Sequence, residues 1–428
     1  MTYQETLQYL FNQLPMYQRK GKAAYKADLE NTLKLDEYFK HPHKNFRTIH
    51  VAGTNGKGSV SHMLASILQS AGYRTGLYTS PHLLDFRERI RIDGQMISER
   101  DVVDFVADNQ GVMESVAPSF FEMTVAMAFD CFSREGVEVA VIEVGLGGRL
   151  DSTNIISPDL SVITNIGLDH TMFLGDDLHS IAKEKAGIIK SETPVVVGRY
   201  QSETADVFRE KAQSVNAPVF FSEDLVQVKN VQSVSGFQVI DLSTQSEDVS
   251  VKLPLLGEYQ QENLLTVVSA YNQLKKIGYN LNKNVLKEGI YGVVKQTGFL
   301  GRWQILSENP LVICDTGHNA DGVAKVVAQL KRGKNQKIHI VWGMVNDKDA
   351  SGILKMLPED ADYYFTRASI PRALDEKKLL DQALKVGLSG ESYPNVQLAV
   401  KAAKKNASDN DLIFIGGSTF VVAEALEK

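Results

Sequence analysis

Residues 48–68, TIHVAGTNGKGSVSHMLASIL, run from a β-branched segment through a glycine-studded turn carrying Lys57 and Ser59 into an amphipathic stretch. Val60, Met63, Leu64, Ile67, Leu68 and Ala71 recur at helical spacing, so the turn stands at the N-terminus of a helix packed on a sheet. Unpaired backbone N–H groups and the positive end of the helix dipole then face the loop, and Gly53, Gly56 and Gly58 let the backbone approach an anion. The loop Gly53, Thr54, Asn55, Gly56, Lys57, Gly58, Ser59 is therefore expected to hold a nucleoside triphosphate, with Lys57 neutralising the β/γ-phosphates and Ser59 on Mg²⁺. The common spacing G-x-x-x-x-G-K-[ST] is not met, because Gly58 separates Lys57 from Ser59. A glycine-rich turn that binds nothing is the alternative; three glycines, a lysine and a hydroxyl in one strand-to-helix turn favour a nucleotide.

The chain has 428 residues, 43% of them hydrophobic, which is too long for one ordinary core and predicts two α/β domains. A net charge of −6 and the lack of a long Lys/Arg cluster argue against a general nucleic-acid or membrane-surface binder. Cys131 and Cys314 each sit in an apolar segment, as buried thiols in a reducing compartment do. MTYQETLQYLFNQLP at residues 1–15 lacks the features of a secretory leader, and no apolar run approaches a membrane-spanning length, so the expected location is the cytoplasm.

VEVAVIEVG, LSVITNIG and TPVVVG read as strands buried on both faces of a parallel sheet, with helical patterns between them, one from about 177 to 190. The region from about 218 to 256 alternates apolar and polar residues, which predicts a small antiparallel excursion. From about 299 a second series begins with LVICD, followed by KIHIVWGM, DYYFT and DLIFIGG, and helical stretches near 320–331, 374–386, 395–404 and 418–427. Asp315 and Gly416-Gly417 end two of these strands, at the edge where open α/β sheets bind ligands. The expected fold class is α/β, a P-loop mononucleotide-binding N-terminal domain (1–298) with a parallel-sheet core and a smaller Rossmann-like C-terminal domain (299–428).

HVAGTNGKGS closely resembles the nucleotide loop of the folylpolyglutamate synthase and dihydrofolate synthase family, a member of the Mur ligase superfamily. LYTSPHL (77–83), SFFEM (119–123), VIEVGLGGRLDSTN (141–154), NIGLDH (165–170), EKAGIIK (184–190), GRW (301–303), DTGHN (315–319) and GMVNDKD (343–349) resemble its motifs, in its order. An ordered series of this kind is far more specific than any single motif.

Glu143, at the end of VAVIE, reads on its own as either a hard Mg²⁺ ligand beside the phosphate loop or a solvated strand-end carboxylate, and the resemblance implies the metal role. It likewise implies that His170 and Ser80 join Glu143 around Mg²⁺, although a lone histidine is more often structural and a nitrogen ligand on magnesium is unusual. Lys185 reads by composition as one of several lysines on a solvated helix face; the resemblance implies a carbamylated lysine whose anionic oxygens hold a second Mg²⁺ ion.

In the C-terminal domain the resemblance implies Arg302 and Asp315 on ATP, together with Asn263 of QENLL, and Asp315 and His318 close to the incoming glutamate. Many relatives read DGAHNPD where this chain reads DTGHNAD, so Thr316, Gly317 and Ala320 depart while Asp315 and His318 are kept. Ser418 resembles a serine near the glutamate site, and by itself is a good helix N-cap. Phe121, Glu122, Leu150, Asp151 and Ser152 match segments that contact the pterin and benzoate parts of folate, though Phe120 and Phe121 equally suit a core. Asn346-Asp347-Lys348-Asp349 has the wrong order for a guanine-reading motif, which favours ATP over GTP.

The expected function is an ATP-dependent amide ligase, catalysed by Lys57, Lys185, Asp315 and His318, adding L-glutamate to dihydropteroate and to reduced folates through an acyl phosphate. Domain closure is expected to exclude water from that intermediate. The enzyme is expected to be a monomer without nucleic-acid or membrane partners. AAYKADLENTLKLDEYF (23–39) matches poorly the N-terminal segment linked to dihydropteroate binding in some bacterial relatives, so a monofunctional folylpolyglutamate synthase is the alternative. A cell-wall ligase would need a uridine-binding N-terminal domain, for which few residues precede Gly53. From another class, the rival is a nucleotide-binding switch with slow ATP hydrolysis.

Overall fold

The structure, a computed structural model, describes residues 1–14, 28–245, 247–333, 337–346 and 350–427. Residues 23–27 of the N-terminal motif and Asp347, Lys348 and Asp349 lie outside the described residues. The chain forms two compact units, Met1–Pro254 with Gln260–Phe299, and Leu255–Tyr259 with Leu300–Lys428. The split falls one residue beyond the expected 298/299 boundary, and Leu255–Tyr259 clusters with the second unit.

In the first unit, β1 (Arg47–Ala52), β2 (Thr75–Tyr78), β3 (Ile90–Ile92), β4 (Gln95–Met96), β5 (Val139–Glu143), β6 (Leu160–Ile163), β7 (Val195–Val197) and β8 (Val219–Phe221) form one sheet. Its order is β4-β3-β2-β5-β1-β6-β7-β8. The six strands from β2 to β8 in that order are parallel, and β3 and β4 add an antiparallel hairpin at one edge. Central strands are buried along their whole length because helices cover both faces. Ala140 and Ile142 pack with Phe120, Phe129 and Phe132 on one side, while Ile163, Val195 and Val197 pack with Ile181 and Phe208 in a second cluster.

The register sets Val51 beside Glu143 and Ala52 beside Ile163, so the loops after β1, β5 and β6 leave from one edge. The chain runs from β1 to β2 on one side and later from β5 across β1 to β6, which makes this edge a topological switch point, where open sheets bind ligands.

The antiparallel excursion is β9 (Val226–Val234), β10 (Phe237–Thr244) and β11 (Asp248–Leu253), in a separate three-stranded sheet. It starts later than the expected 218, because Val219–Phe221 completes the parallel sheet. Alternation distinguishes them: in β11 every second residue is buried, as in a sheet with one wet face.

The second unit holds β12 (Gln304–Glu308), β13 (Leu311–Cys314), β14 (Ile338–Trp342), β15 (Asp362–Thr366), β16 (Gly390–Tyr393) and β17 (Leu412–Gly416), in the order β12-β13-β17-β14-β15-β16. All pairs are parallel except β12 with β13. The expected first strand, LVICD, is thus the second, because QILSE and the later GESY are edge strands too polar for an apolar run to mark them. Successive residues alternate between two cores: Ile340, Trp342 and Phe365 belong to one, Val341 and Tyr364 to the other. Among the described residues no helix is long and apolar enough to cross a membrane.

Candidate active site

The loop after β1 enters the helix Lys57–Ser70 through Gly56, whose φ of 85° lies in the left-handed region. A Cβ at Gly56 would stand 2.2 Å from Asn263 Oδ1, and one at Gly53 (φ 145°) 1.9 Å from Thr164 Oγ1, so no side chain fits at either position. The loop after β6 braces this turn: Thr54 N–H donates to Asn165 O at 2.9 Å, Asn55 N–H to Asn165 Oδ1 at 3.0 Å, and Asn165 Nδ2 to Asn55 O at 3.0 Å. Lys57 Nζ donates to Gly53 O at 3.0 Å and Thr54 O at 3.3 Å, which keeps its charge over the loop. With the Thr54 and Asn55 N–H groups spent on this brace, the N–H groups that open the helix at Lys57 are the ones suited to phosphate oxygens.

Gln260 is wholly buried and links two expected nucleotide residues, donating to Ser59 Oγ at 3.0 Å and accepting from Asn263 Nδ2 at 2.8 Å. Sequence reasoning passed over it. The one available signal was its place three residues before Asn263, one helical turn away.

Glu143 ends β5 buried, and accepts the backbone N–H of Ser80 at 3.2 Å. Its Oε1 would lie 3.9 Å from a Cβ placed on Gly58, so the structure brings Glu143, Ser80 and the phosphate loop together. His170 follows β6 in left-handed conformation, φ 51°, with its N–H on Asp169 Oδ1 at 2.9 Å. Among the described residues no three of His, Cys, Asp and Glu converge as a metal-binding group. A buried carboxylate and serine hydroxyls are oxygen donors of the kind Mg²⁺ takes, with its other positions left to water and substrate phosphates, whereas the His170 imidazole is an unusual ligand for it.

Lys185 is buried, at 4% exposure, and this overturns the solvated helix face suggested by composition. The GLGG loop covers it: a Cβ on Gly148 would lie 2.7 Å from Glu184 O and 3.0 Å from Lys185 Cα. Burial, with the neighbouring Lys57 cation, pushes the Lys185 amine down to about 7, against the opposing pull of Asp169, Asp151 and Glu184. A lysine in this state supplies neutral amine at physiological pH, the form that captures CO₂.

Phe120 belongs to the core cluster, whereas Phe121 is half-buried and packs on Gly145, where a Cβ would meet its ring at 2.3 Å. Glu122 is buried and closes a capping box with Ser119, accepting its N–H at 2.5 Å. Asp151 is buried and accepts the Leu146 and Thr153 N–H groups at 2.8 and 3.0 Å, holding the loop that carries half-buried Leu150 and buried Ser152. Burial raises the Asp151 carboxyl above its ordinary range.

In the second unit, Asp315 follows β13 and is buried. Tyr259 O–H donates to its Oδ2 at 2.5 Å, Trp303 N–H to the same oxygen at 2.7 Å, and Gly317 N–H to Oδ1 at 2.7 Å. Burial raises the carboxyl, while these donors and the Arg302 charge oppose the shift. Thr316 has a local effect: its hydroxyl accepts a hydrogen bond from Arg302 Nη1, and its carbonyl lies 3.0 Å from His318 Nδ1. Ser418 caps the helix Thr419–Leu426, accepting Val421 N–H at 3.2 Å. Asp315, Arg302 and His318 therefore gather around one loop. Tyr259 was missed because it lies 56 residues before Asp315 in a segment read as part of the other domain.

Comparison with known proteins bears on the family and the fold. The Mur ligase middle domain matches residues 51–271, and the Mur ligase glutamate ligase domain residues 301–419. The dihydrofolate synthase/folylpolyglutamate synthase of Escherichia coli is 35% identical over 386 residues, 88% of this chain and 85% of its own. A probable bifunctional folylpolyglutamate synthase/dihydropteroate synthase of Haloferax volcanii is 34% identical over 99% of this chain, which spans about half (50%) of that longer relative. Among solved structures, E. coli FolC in complex with DHPP and ADP superposes with a TM-score of 0.87 at 31% identity, covering 100% of this chain and 97% of that one. A bifunctional folylpolyglutamate synthase/dihydrofolate synthase with Mn, AMPPNP and L-glutamate bound gives 0.84 at 29% identity, with 100% and 97% coverage.

Proposed function

The chain belongs to the Mur ligase family, and within it to the folylpolyglutamate synthase and dihydrofolate synthase group; from this we propose that it is an ATP-dependent ligase joining L-glutamate to dihydropteroate and to folylpoly-γ-glutamates. The observation that carries the reading is the braced Gly53–Ser59 loop with the buried Glu143 carboxylate beside Gly58, a triphosphate cradle next to a hard oxygen ligand.

In the proposed reaction a carboxylate oxygen of the pteroyl substrate attacks the γ-phosphorus of ATP and ADP leaves. The amine of L-glutamate then attacks the acyl phosphate carbonyl, losing a proton as phosphate departs and the amide forms. The loop N–H groups bind the phosphates, and Lys57 offsets charge on the group in transit. Ser59, Ser80, Glu143 and His170 would hold Mg²⁺, which when bound offsets phosphate charge. Carbamylated Lys185 would add anionic oxygen for a second ion.

Asn263, Arg302 and Asp315 are assigned to the nucleotide, Asp315, His318 and Ser418 to glutamate. Phe121, Glu122, Leu150, Asp151 and Ser152 are assigned to the pteroyl group. Of these, Glu122 already serves its capping box, and Asp151 its own loop, so their proposed part is to shape the pocket wall. A cytoplasmic monomer acting on small molecules completes the proposal.

The test is glutamate-dependent ADP release, with dihydropteroate and tetrahydrofolate offered separately. Turnover with both is expected; turnover with tetrahydrofolate alone would reduce the enzyme to a folylpolyglutamate synthase. ATP hydrolysis indifferent to glutamate would make it a switch and overturn the ligase reading. Lys57→Ala should stay folded and lose roughly 10²–10³ in turnover.

A further inference from the structure

Asp315 has almost no acceptor capacity left. Oδ2 takes the Tyr259 phenol and the Trp303 N–H, and Oδ1 takes the Gly317 N–H. A carboxylate oxygen accepts about two donors, so Oδ2 is filled and Oδ1 keeps one place. The arrangement is held at some cost: Trp303 has a φ of 45°, rare for a bulky residue, and that turn presents its N–H to Oδ2.

Tyr259 is delivered by the strap Leu255–Tyr259, which is fastened to the end of the helix Ala320–Leu330 and the turn after it. Gln329 Nε2 donates to Leu256 O at 3.0 Å, Gln329 Oε1 accepts Glu258 N–H at 2.7 Å, and Arg332 pairs with Glu258. The phenol ring lies on Gly257, where a Cβ would come within 2.6 Å of it. Both the position and the rotation of the ring are thereby set.

We propose that Tyr259 is a positioning residue for the ligase reaction: by filling Oδ2 of Asp315 it leaves Oδ1 as the single oxygen that receives an N–H or O–H of ATP or L-glutamate. The proposal rests on the role given to Asp315 above. Without the phenol the carboxylate has two open places and can turn about its Cβ–Cγ bond, so the substrate donor meets a less defined acceptor.

The experiment is a double-mutant cycle of Tyr259→Phe and Asp315→Asn in the full chain, read by steady-state kinetics over pH and by thermal melting. Tyr259→Phe should lower kcat/KM for ATP or for glutamate by about tenfold, the worth of a hydrogen bond to a charged group. It should also move the acid limb to higher pH, because a carboxylate that loses a donor holds its proton more tightly. Which of the two substrates is affected identifies the partner of Oδ1. In the Asp315→Asn background the same substitution should change nothing further.

Multiplicative effects of the two substitutions, or an unmoved acid limb, would overturn the proposal and leave Tyr259 a structural residue. Normal activity of Asp315→Asn alone would overturn the underlying role of Asp315 instead. Gln329→Met, which loosens the strap without touching either partner, should shift the acid limb in the same direction by less. If Tyr259→Phe does not fold, Gln329→Met decides: an acid limb unmoved from wild type counts against the proposal.

Discussion

Lys185 shows how a residue's chemistry is set by what covers it. Its amine is pushed down to about 7 by burial first and the Lys57 charge second. Unfolded, it would titrate near the ordinary lysine value of 10.5, so the folded protein binds fewer protons between those values. Its cost to stability is therefore complete below about pH 7 and is relieved as pH rises toward 10.5. In CO₂-depleted buffer, Lys185→Met should stabilise the protein by roughly 2–4 kcal/mol at pH 6, the gain shrinking above neutrality. The same variant should have almost no ligase activity. Denaturant melts at several pH values check the first part; a gain independent of pH would contradict the assigned cause. Incorporation of ¹³CO₂ at Lys185, observed without acid, checks the carbamate.

At the level of elements, the proposed function rests on the loops after β1, β5 and β6. The first depends on conformations that only glycine tolerates, and is braced by side chains of the third. Gly56→Ala combines a φ of 85° with a collision against Asn263, so it should cost stability and weaken nucleotide binding together. A lowered melting temperature with a cooperative transition, and at least a tenfold weaker affinity for ADP by calorimetry, are expected; unchanged affinity would show that the loop can give way. Glu143→Gln keeps the shape at the end of β5 and removes the charge, so activity should require far more Mg²⁺. A magnesium titration identical to wild type would remove Glu143 from the metal site.

For the molecule as a whole, the two units have their own sheets and cores, yet the chain passes between them at 254/255, 259/260 and 299/300. Binding to the native state alone stabilises by mass action, about 2.7 kcal/mol at a hundredfold excess over Kd. Mg²⁺-ADP should therefore raise the melting temperature of the whole chain, and at the same ligand concentration the gain should be clearly smaller in Gly56→Ala. A gain of equal size in that variant would place the nucleotide elsewhere.

The class of the fold, and the glycine turn proposed to hold phosphate, are legible in the chain alone, because both are written in local pattern. Helical spacing from Val60 to Ala71 and continuous apolar runs in β5, β6 and β17 need no knowledge of distant residues, and neither does a glycine turn with Lys57 and Ser59. Glu143, His170, Asp315 and His318 were marked by the resemblance of their motifs to a family, not by periodicity. Tertiary structure decided what depends on coverage and on pairs far apart in the chain. It buried Lys185 beneath the GLGG loop, although its own helix reads as polar. It made Gln260 a link between Ser59 and Asn263, and it left Phe121 half-buried at the margin of the core that takes Phe120 whole. It also gave Tyr259 to Asp315, 56 residues away. A sequence pattern reports the face a side chain presents; only the packed chain sets what lies against that face, and burial with hydrogen bonding then fixes its charge and its chemistry.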